Sequence, residues 1–121
     1  MITSLRIAFR LFKNEIKYKS IAKTAKRVLS KRLKEEGWSV HSIQLVLGLG
    51  TPDQLACIIL LETDDELGRF ESADQNQRAA NLFRQLLLTN GYPSDFADKI
   101  SVAVYSWETV KKAGGLDAYL K

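Results

Sequence analysis

The sequence predicts a two-layer α+β domain in which helices pack on one sheet of three or four mainly antiparallel strands. Residues 20–36 carry apolar side chains at helical spacing, whereas Leu55–Leu61 is a nearly continuous apolar run typical of a central strand. The chain has 121 residues, of which 45% are hydrophobic and 26% are charged. These values indicate a single globular domain over residues 1–121.

The helix predicted over 20–36 has one apolar face and one basic face. The apolar positions are Ile21, Ala25, Val28, Leu29 and Leu33. We expect Ser20 to cap the helix at its start, because a hydroxyl at that position can accept a hydrogen bond from a free backbone N–H. Gly37 follows the last helical residues and is expected to end the helix.

Residues 4–17 fit two different periodicities. Spacing by two, typical of a half-buried strand, is found for Leu5, Ile7, Phe9 and Leu11. Spacing by three and four, typical of an amphipathic helix, is found for Leu5, Phe9, Phe12 and Ile16. We favour the strand, which gives the order βαββαβ plus a C-terminal helix, the ferredoxin-like arrangement. The helical alternative gives the order ααββαβα with a three-stranded sheet, and it requires a break near Lys17–Ser20.

The remaining elements are predicted from apolar runs and from turn residues. In chain order they are a β-hairpin over 38–62 that turns at 51–54, a helix over 72–90, a strand over 100–106 and a final helix. We expect Ser72 to cap the helix over 72–90, and Ser106 or Trp107 to begin the final helix. Gly114-Gly115 should interrupt the final helix.

Charge is distributed unevenly along the chain. Residues 1–37 hold eleven Lys and Arg against three Asp and Glu, a net charge of +8. Residues 38–121 hold seven basic and eleven acidic residues, a net charge of −4. A cationic segment attached to an acidic body indicates an anionic partner.

The cations of this segment are therefore the candidate anion-binding residues. They are Arg6, Arg10, Lys23, Arg27, Lys31 and Lys34. A row of such groups on one side of a helix can contact backbone phosphates, with release of counterions. The sequence thus predicts a small non-enzymatic binding or regulatory protein, associated with nucleic acid. The alternative is an adaptor or homo-oligomer in which the basic segment meets acidic side chains of another copy or another protein, such as Asp64, Asp65 and Glu66.

A third hypothesis is a metal-dependent phosphodiesterase. Pro52-Asp53 followed by Glu62-Thr63-Asp64 is similar to a nuclease pattern that has Pro-Asp, then an acid, one residue and Lys. Position 64 is Asp, so the lysine of that pattern is missing. The single histidine, His41, has no neighbour in the sequence that would make a metal site or a general base. We therefore expect no enzymatic activity, and we assign no catalytic residue, metal or cofactor.

The single cysteine and the lack of long apolar segments bear on the location of the protein. Cys57 lies inside the predicted central strand, so we expect a buried thiol without a disulfide. The longest uninterrupted apolar run has far fewer residues than the roughly 20 needed to span a bilayer. Arg6 and Arg10 interrupt the apolar N-terminus, which is unlike a secretory signal. These features predict a cytoplasmic protein with no membrane span.

Overall fold

The computed structural model describes the backbone of residues 2–47 and 55–120, and the side chains of residues 17–46 and 55–120. The elements in these ranges are α1 (Ile2–Glu35), β1 (Val40–Leu47), β2 (Leu55–Leu61), α2 (Asp64–Ser72), α3 (Gln75–Thr89), α4 (Ser94–Ala97), β3 (Ser101–Ser106), α5 (Trp107–Lys112) and α6 (Leu116–Tyr119). The predicted α+β class is confirmed. The turn predicted over 51–54 lies outside the described residues.

The described strands form one open sheet in the order β1-β2-β3. β1 and β2 are antiparallel, as the predicted hairpin requires, whereas β3 runs parallel to β2. On the central strand, Ile59 pairs with Ile43 of β1 and with Val104 of β3. A parallel pair needs a crossover between its strands, and α2, α3 and α4 form that crossover. The sheet is therefore mixed rather than mainly antiparallel.

The strand that we favoured over residues 5–12 is wrong, and with it the ferredoxin-like order. A single helix, α1, runs from Ile2 to Glu35 without the expected break near Lys17–Ser20. Residues 2–36 contain neither Gly nor Pro, so helix propagation can continue through a change in the phase of the apolar pattern. Ser20 lies inside this helix and does not cap it, and its carbonyl accepts a hydrogen bond from the Thr24 hydroxyl at 3.1 Å.

The end of α1 is where the sequence predicts it. Gly37 has φ +96°, a conformation that side chains disfavour. Its N–H donates to the Lys34 carbonyl, and the N–H of Trp38 donates to the Leu33 carbonyl, both at 3.0 Å. This pair of bonds is a Schellman motif, which satisfies carbonyls at the end of the helix. None of the described helices, α1 included, has a stretch long and apolar enough to cross a membrane.

Alternate residues of β2 point to the two faces of the sheet, and helices cover both faces. On the first face Cys57 and Ile59 pack with the apolar stripe of α1 and with α3. On the second face Ile58 and Leu60 pack with Val110 of α5. β2 is buried along almost its whole length, so the prediction of a central strand covered on both faces is confirmed.

The region after β2 contains one more helix than the sequence predicted. The acidic residues after β2, for which we predicted no helix, begin α2, where the Thr63 hydroxyl accepts a hydrogen bond from the Glu66 N–H at 3.2 Å. Ser72 is the last residue of α2 and does not cap α3. Asp74, which precedes α3, has φ 54° and makes no capping hydrogen bond. α3 therefore begins at Gln75, after the left-handed Asp74, rather than at Ser72 as predicted.

The last elements agree with the sequence. The Ser106 hydroxyl caps α5 by accepting a hydrogen bond from the Thr109 N–H at 3.1 Å. Gly114 and Gly115 have φ +98° and +115° and separate α5 from α6. Both conformations favour glycine, which explains why the chain changes direction there.

Replacing Leu29 by Ala should destabilise the whole domain. Leu29 is fully buried in the core between α1 and the sheet, and removal of a buried leucine side chain lowers the free energy of unfolding by about 3 kcal/mol. Urea denaturation followed by circular dichroism measures this loss. Lys23→Ala, at an exposed position of the same helix, should change the free energy of unfolding by about 0.5 kcal/mol or less. Equal stability of the two variants would contradict the packing of α1 on the sheet.

Cys57 should be unreactive in the folded protein. Burial raises the pKa of this thiol to about 12, although the positive charge of Lys26 opposes part of the rise. Because the thiolate is the nucleophile, we expect no labelling by a disulfide reagent at pH 8 until urea unfolds the chain. Rapid labelling without urea would contradict the burial of this strand.

Candidate functional site

A groove of about 810 Å³ runs along the C-terminal half of α1, beside β1. Five cationic side chains line it, namely Lys23, Lys26, Arg27, Lys31 and Lys34. The other lining residues are Ser30, Glu35 and Ile43. The groove therefore holds five positive charges and one negative charge.

The helical repeat places these cations together. The apolar stripe of α1 includes Ile21, Leu29 and Leu33, which are buried against the first face of the sheet. Each residue advances the helix by 100°, so side chains separated by three or four positions share one side of the helix. Lys23 and Lys34 are eleven positions apart, which corresponds to about 16 Å along the helix axis. The cations thus form a row next to the buried stripe.

Four of the five groove cations have no carboxylate of the described residues close enough to form an ion pair. Lys31 lies 3.9 Å from the Glu35 carboxylate one turn later, and both side chains are more than 60% exposed. Within the described part of the chain, no Asp or Glu forms an ion pair with the other four, namely Lys23, Lys26, Arg27 and Lys34. Glu36 turns away from the groove and pairs with Arg78 of α3 at 2.7 Å.

The wall opposite the cations comes from an edge of the sheet. In the order β1-β2-β3, β1 has a hydrogen-bonded neighbour on one side. Ile43, only 2% exposed, is the β1 residue that reaches the groove. The groove therefore combines its basic lining with one nearly buried apolar side chain from an edge strand.

The structure brings together four of the six sequence-predicted residues, and they are Lys23, Arg27, Lys31 and Lys34. Arg6 and Arg10 lie in α1. The structure describes their backbone but not their side chains. The sequence reasoning missed Lys26, which also lines the groove. Its spacing of three from Lys23 and four from Ser30 places it on the same side, and that signal was available.

The acidic residues proposed as the partner surface of a second copy are mostly engaged inside the protein. Glu66 is buried, and its carboxylate accepts a hydrogen bond from the Ser39 N–H. The Asp64 carboxylate accepts hydrogen bonds from the hydroxyls of Ser106 and, at 2.6 Å, Thr109. These contacts join the start of α2 to the start of α5. Asp64 and Asp65 are both exposed, whereas Glu66 is not.

The hydrogen bonds at Asp64 also explain its ionisation. Donation from the Ser106 hydroxyl, and next from the Thr109 hydroxyl, lowers the pKa of this carboxyl below its usual value. Across residues 17–46 and 55–120, no three His, Cys, Asp or Glu side chains lie close enough to share a metal ion. Asp53, part of the nuclease-like pattern, lies outside the described residues.

His41 makes a contact between β1 and α5. Its ring stacks on Trp107 with the centroids 4.3 Å apart and the planes 4° from parallel. Its Nδ1 atom lies 3.6 Å from the Glu62 carboxylate. A cavity of about 360 Å³ adjoins the stacked rings, on the second face of the sheet. This stacking contact packs α5 against β1 and does not involve the groove of α1.

No protein-family model, curated protein or solved structure matches the chain. The geometry and the charges of the groove are therefore the features that bear on function.

Replacing Asp64 by Asn should destabilise the protein in a pH-dependent way. The folded pKa of Asp64 is lowered, so its contribution to stability is present above the unfolded pKa and is lost as the pH falls through the folded pKa. We expect a clear loss of urea resistance for Asp64→Asn at pH 7 and a smaller difference from the parent protein at pH 3. Asp65→Asn, at the neighbouring exposed carboxylate, is the control. Its urea resistance should stay close to that of the parent protein at both pH 7 and pH 3. A pH-independent effect of Asp64→Asn would contradict this account.

Proposed function

We propose that the protein is a non-enzymatic binding or regulatory protein that contacts nucleic acid through the groove of α1. The observation that carries the proposal is the row of cations in one groove, four of which form no ion pair with a carboxylate of the described residues. It is supported by the net charge of +4 for the whole chain, which arises from the segment that ends with α1.

Backbone phosphates are a suitable ligand for this row. The cations extend over about 16 Å of helix axis, and phosphates of a duplex strand follow one another by roughly 3.4 Å along its axis. The row is therefore as long as about five phosphate steps. Each contact releases condensed counterions, and this release favours binding at low salt.

Self-association through the acidic cluster has weaker support. Asp64 and Glu66 accept hydrogen bonds from donors of the same chain. A second copy that used these carboxylates would compete with those bonds, and for the buried Glu66 the loss of its donor is strongly unfavourable. An exposed Asp65 offers a single charge to a groove that holds four uncompensated ones.

A charge-matched pair of variants tests the proposal. The groove variant carries Lys23→Ala, Arg27→Ala and Lys34→Ala, and the control variant carries Arg32→Ala, Lys111→Ala and Lys112→Ala. The control positions are exposed cations that do not line the groove. Fluorescence anisotropy with a labelled 24-base-pair DNA duplex at 50 mM salt should show a loss of affinity of roughly 30-fold for the groove variant, at about 0.7 kcal/mol for each cation.

The control variant has the same net charge as the groove variant, so it should retain most of the parent affinity. Equal losses in the two variants would mean that net charge alone drives binding. No binding of single-stranded or double-stranded DNA or RNA at 50 mM salt would overturn the proposal. Light scattering on the parent protein then tests the adaptor alternative, which predicts a dimer that the groove variant weakens.

A further inference from the structure

We infer that the groove binds double-stranded nucleic acid through about four backbone phosphates and without reading its sequence. This inference rests on the proposed function and specifies its ligand. It follows from what the groove contains and from which of its cations are already paired.

The aromatic residues nearest to the groove on α1 and just after it are turned into the core. The ring of Tyr18 lies 5.5 Å from that of Tyr92 and 6.5 Å from that of Phe96. The indole of Trp38 packs edge-on against Phe70 at 4.9 Å. In the described part of the chain, no aromatic ring lines the groove.

The lack of an aromatic ring among the described residues that line the groove favours a duplex. Proteins that bind single strands stack the free bases on aromatic side chains, and each stacked base contributes about 1–3 kcal/mol. This groove offers no such surface among its lining residues. A duplex keeps its bases stacked on one another and presents phosphates to the protein, so it loses nothing when aromatic side chains are missing.

The groove also has few groups that could distinguish base pairs. Four of its five cations are lysines, which act as point charges, and Arg27 is the single lining residue with a bidentate donor group. Phosphate contacts position a protein on a duplex but carry no sequence information. We therefore expect similar affinity for duplexes of different sequence.

The number of phosphate contacts depends on how many groove cations are not already in an ion pair. Lys31 shares its charge with Glu35, which leaves Lys23, Lys26, Arg27 and Lys34 for the ligand. Four contacts predict a slope of about −3.6 in a plot of log affinity against log salt for a duplex. Between 50 and 200 mM salt, that slope corresponds to a loss of affinity of roughly 150-fold.

Replacing Glu35 by Gln should strengthen duplex binding. A purely structural role of Glu35 would not produce that gain. Removal of this carboxylate leaves Lys31 without the partner at 3.9 Å, so a fifth cation becomes available. The slope should steepen to about −4.5, with tighter binding at low salt. Glu36→Gln is the matched control, because Glu36 pairs with Arg78 outside the groove, and its slope should stay near −3.6.

The experiment measures anisotropy for four probes between 50 and 200 mM salt. The probes are two 24-base-pair DNA duplexes of different sequence, a 24-base-pair RNA duplex and a 24-nucleotide single strand. We expect both DNA duplexes to bind with equal affinity and the predicted slope, and the single strand to bind at least tenfold more weakly. The RNA duplex shows whether B-form or A-form spacing fits the groove better.

The outcomes separate this inference from the proposed function. If no probe binds at 50 mM salt, the proposed function fails and the inference fails with it. If the single strand binds as tightly as the duplexes, or if one DNA sequence binds more than tenfold better than the other, the proposed function stands and the inference is overturned. An unchanged slope for Glu35→Gln would overturn the count of four phosphates.

Discussion

Burial of the apolar stripe of α1 against the sheet and α3 is the constraint on which the rest of the structure depends. Ile21, Leu29 and Leu33 each lose nearly all their contact with water there, and burial of such a side chain contributes about 1.5–3 kcal/mol. That contact fixes the rotation of the helix about its axis. The cations of the same turns are consequently held beside β1, whether or not a ligand is present.

A second set of contacts keeps the carboxylates of the acidic body away from that groove. Thr63 and Ser106 cap α2 and α5, and Asp64 joins the two helix starts. Glu66 fixes the segment after α1 by accepting from Ser39. Acidic groups near a helix start are also favoured by the helix dipole. The separation of charge seen along the sequence is thus largely preserved in the fold, in which Glu35 is the one carboxylate among the described residues that line the groove.

Sequence patterns over short stretches predicted the parts of the fold that depend on residues close together in the chain. The 3.6-residue spacing from Ile21 to Leu33 identified the buried stripe and the basic side of α1, and Gly37 identified its end. Residues 5–12 were misassigned because their apolar positions fit both periods, and a helix already formed from residue 20 onward resolves such an ambiguity through cooperativity. The helix predicted over 72–90 begins only at Gln75, because Asp74 has a left-handed conformation, and the preceding helix α2 was not predicted.

The groove itself could be predicted only in part. Helical spacing places Lys23, Arg27 and Lys34 on one side of α1, and that much follows from the sequence. The contribution of Ile43 depends on the packing of α1 beside an edge strand, which involves residues far apart in the chain. The pairing of Glu36 with Arg78 rather than with a groove cation likewise depends on the position of α3.

The most direct test of this account is a map of amide chemical-shift changes when a 24-base-pair DNA duplex is added to the isotope-labelled protein. The account predicts that the changes cluster between residues 23 and 35 of α1 and around Ile43 of β1. Changes concentrated on α5 and α6, with residues 23–35 unaffected, would contradict it.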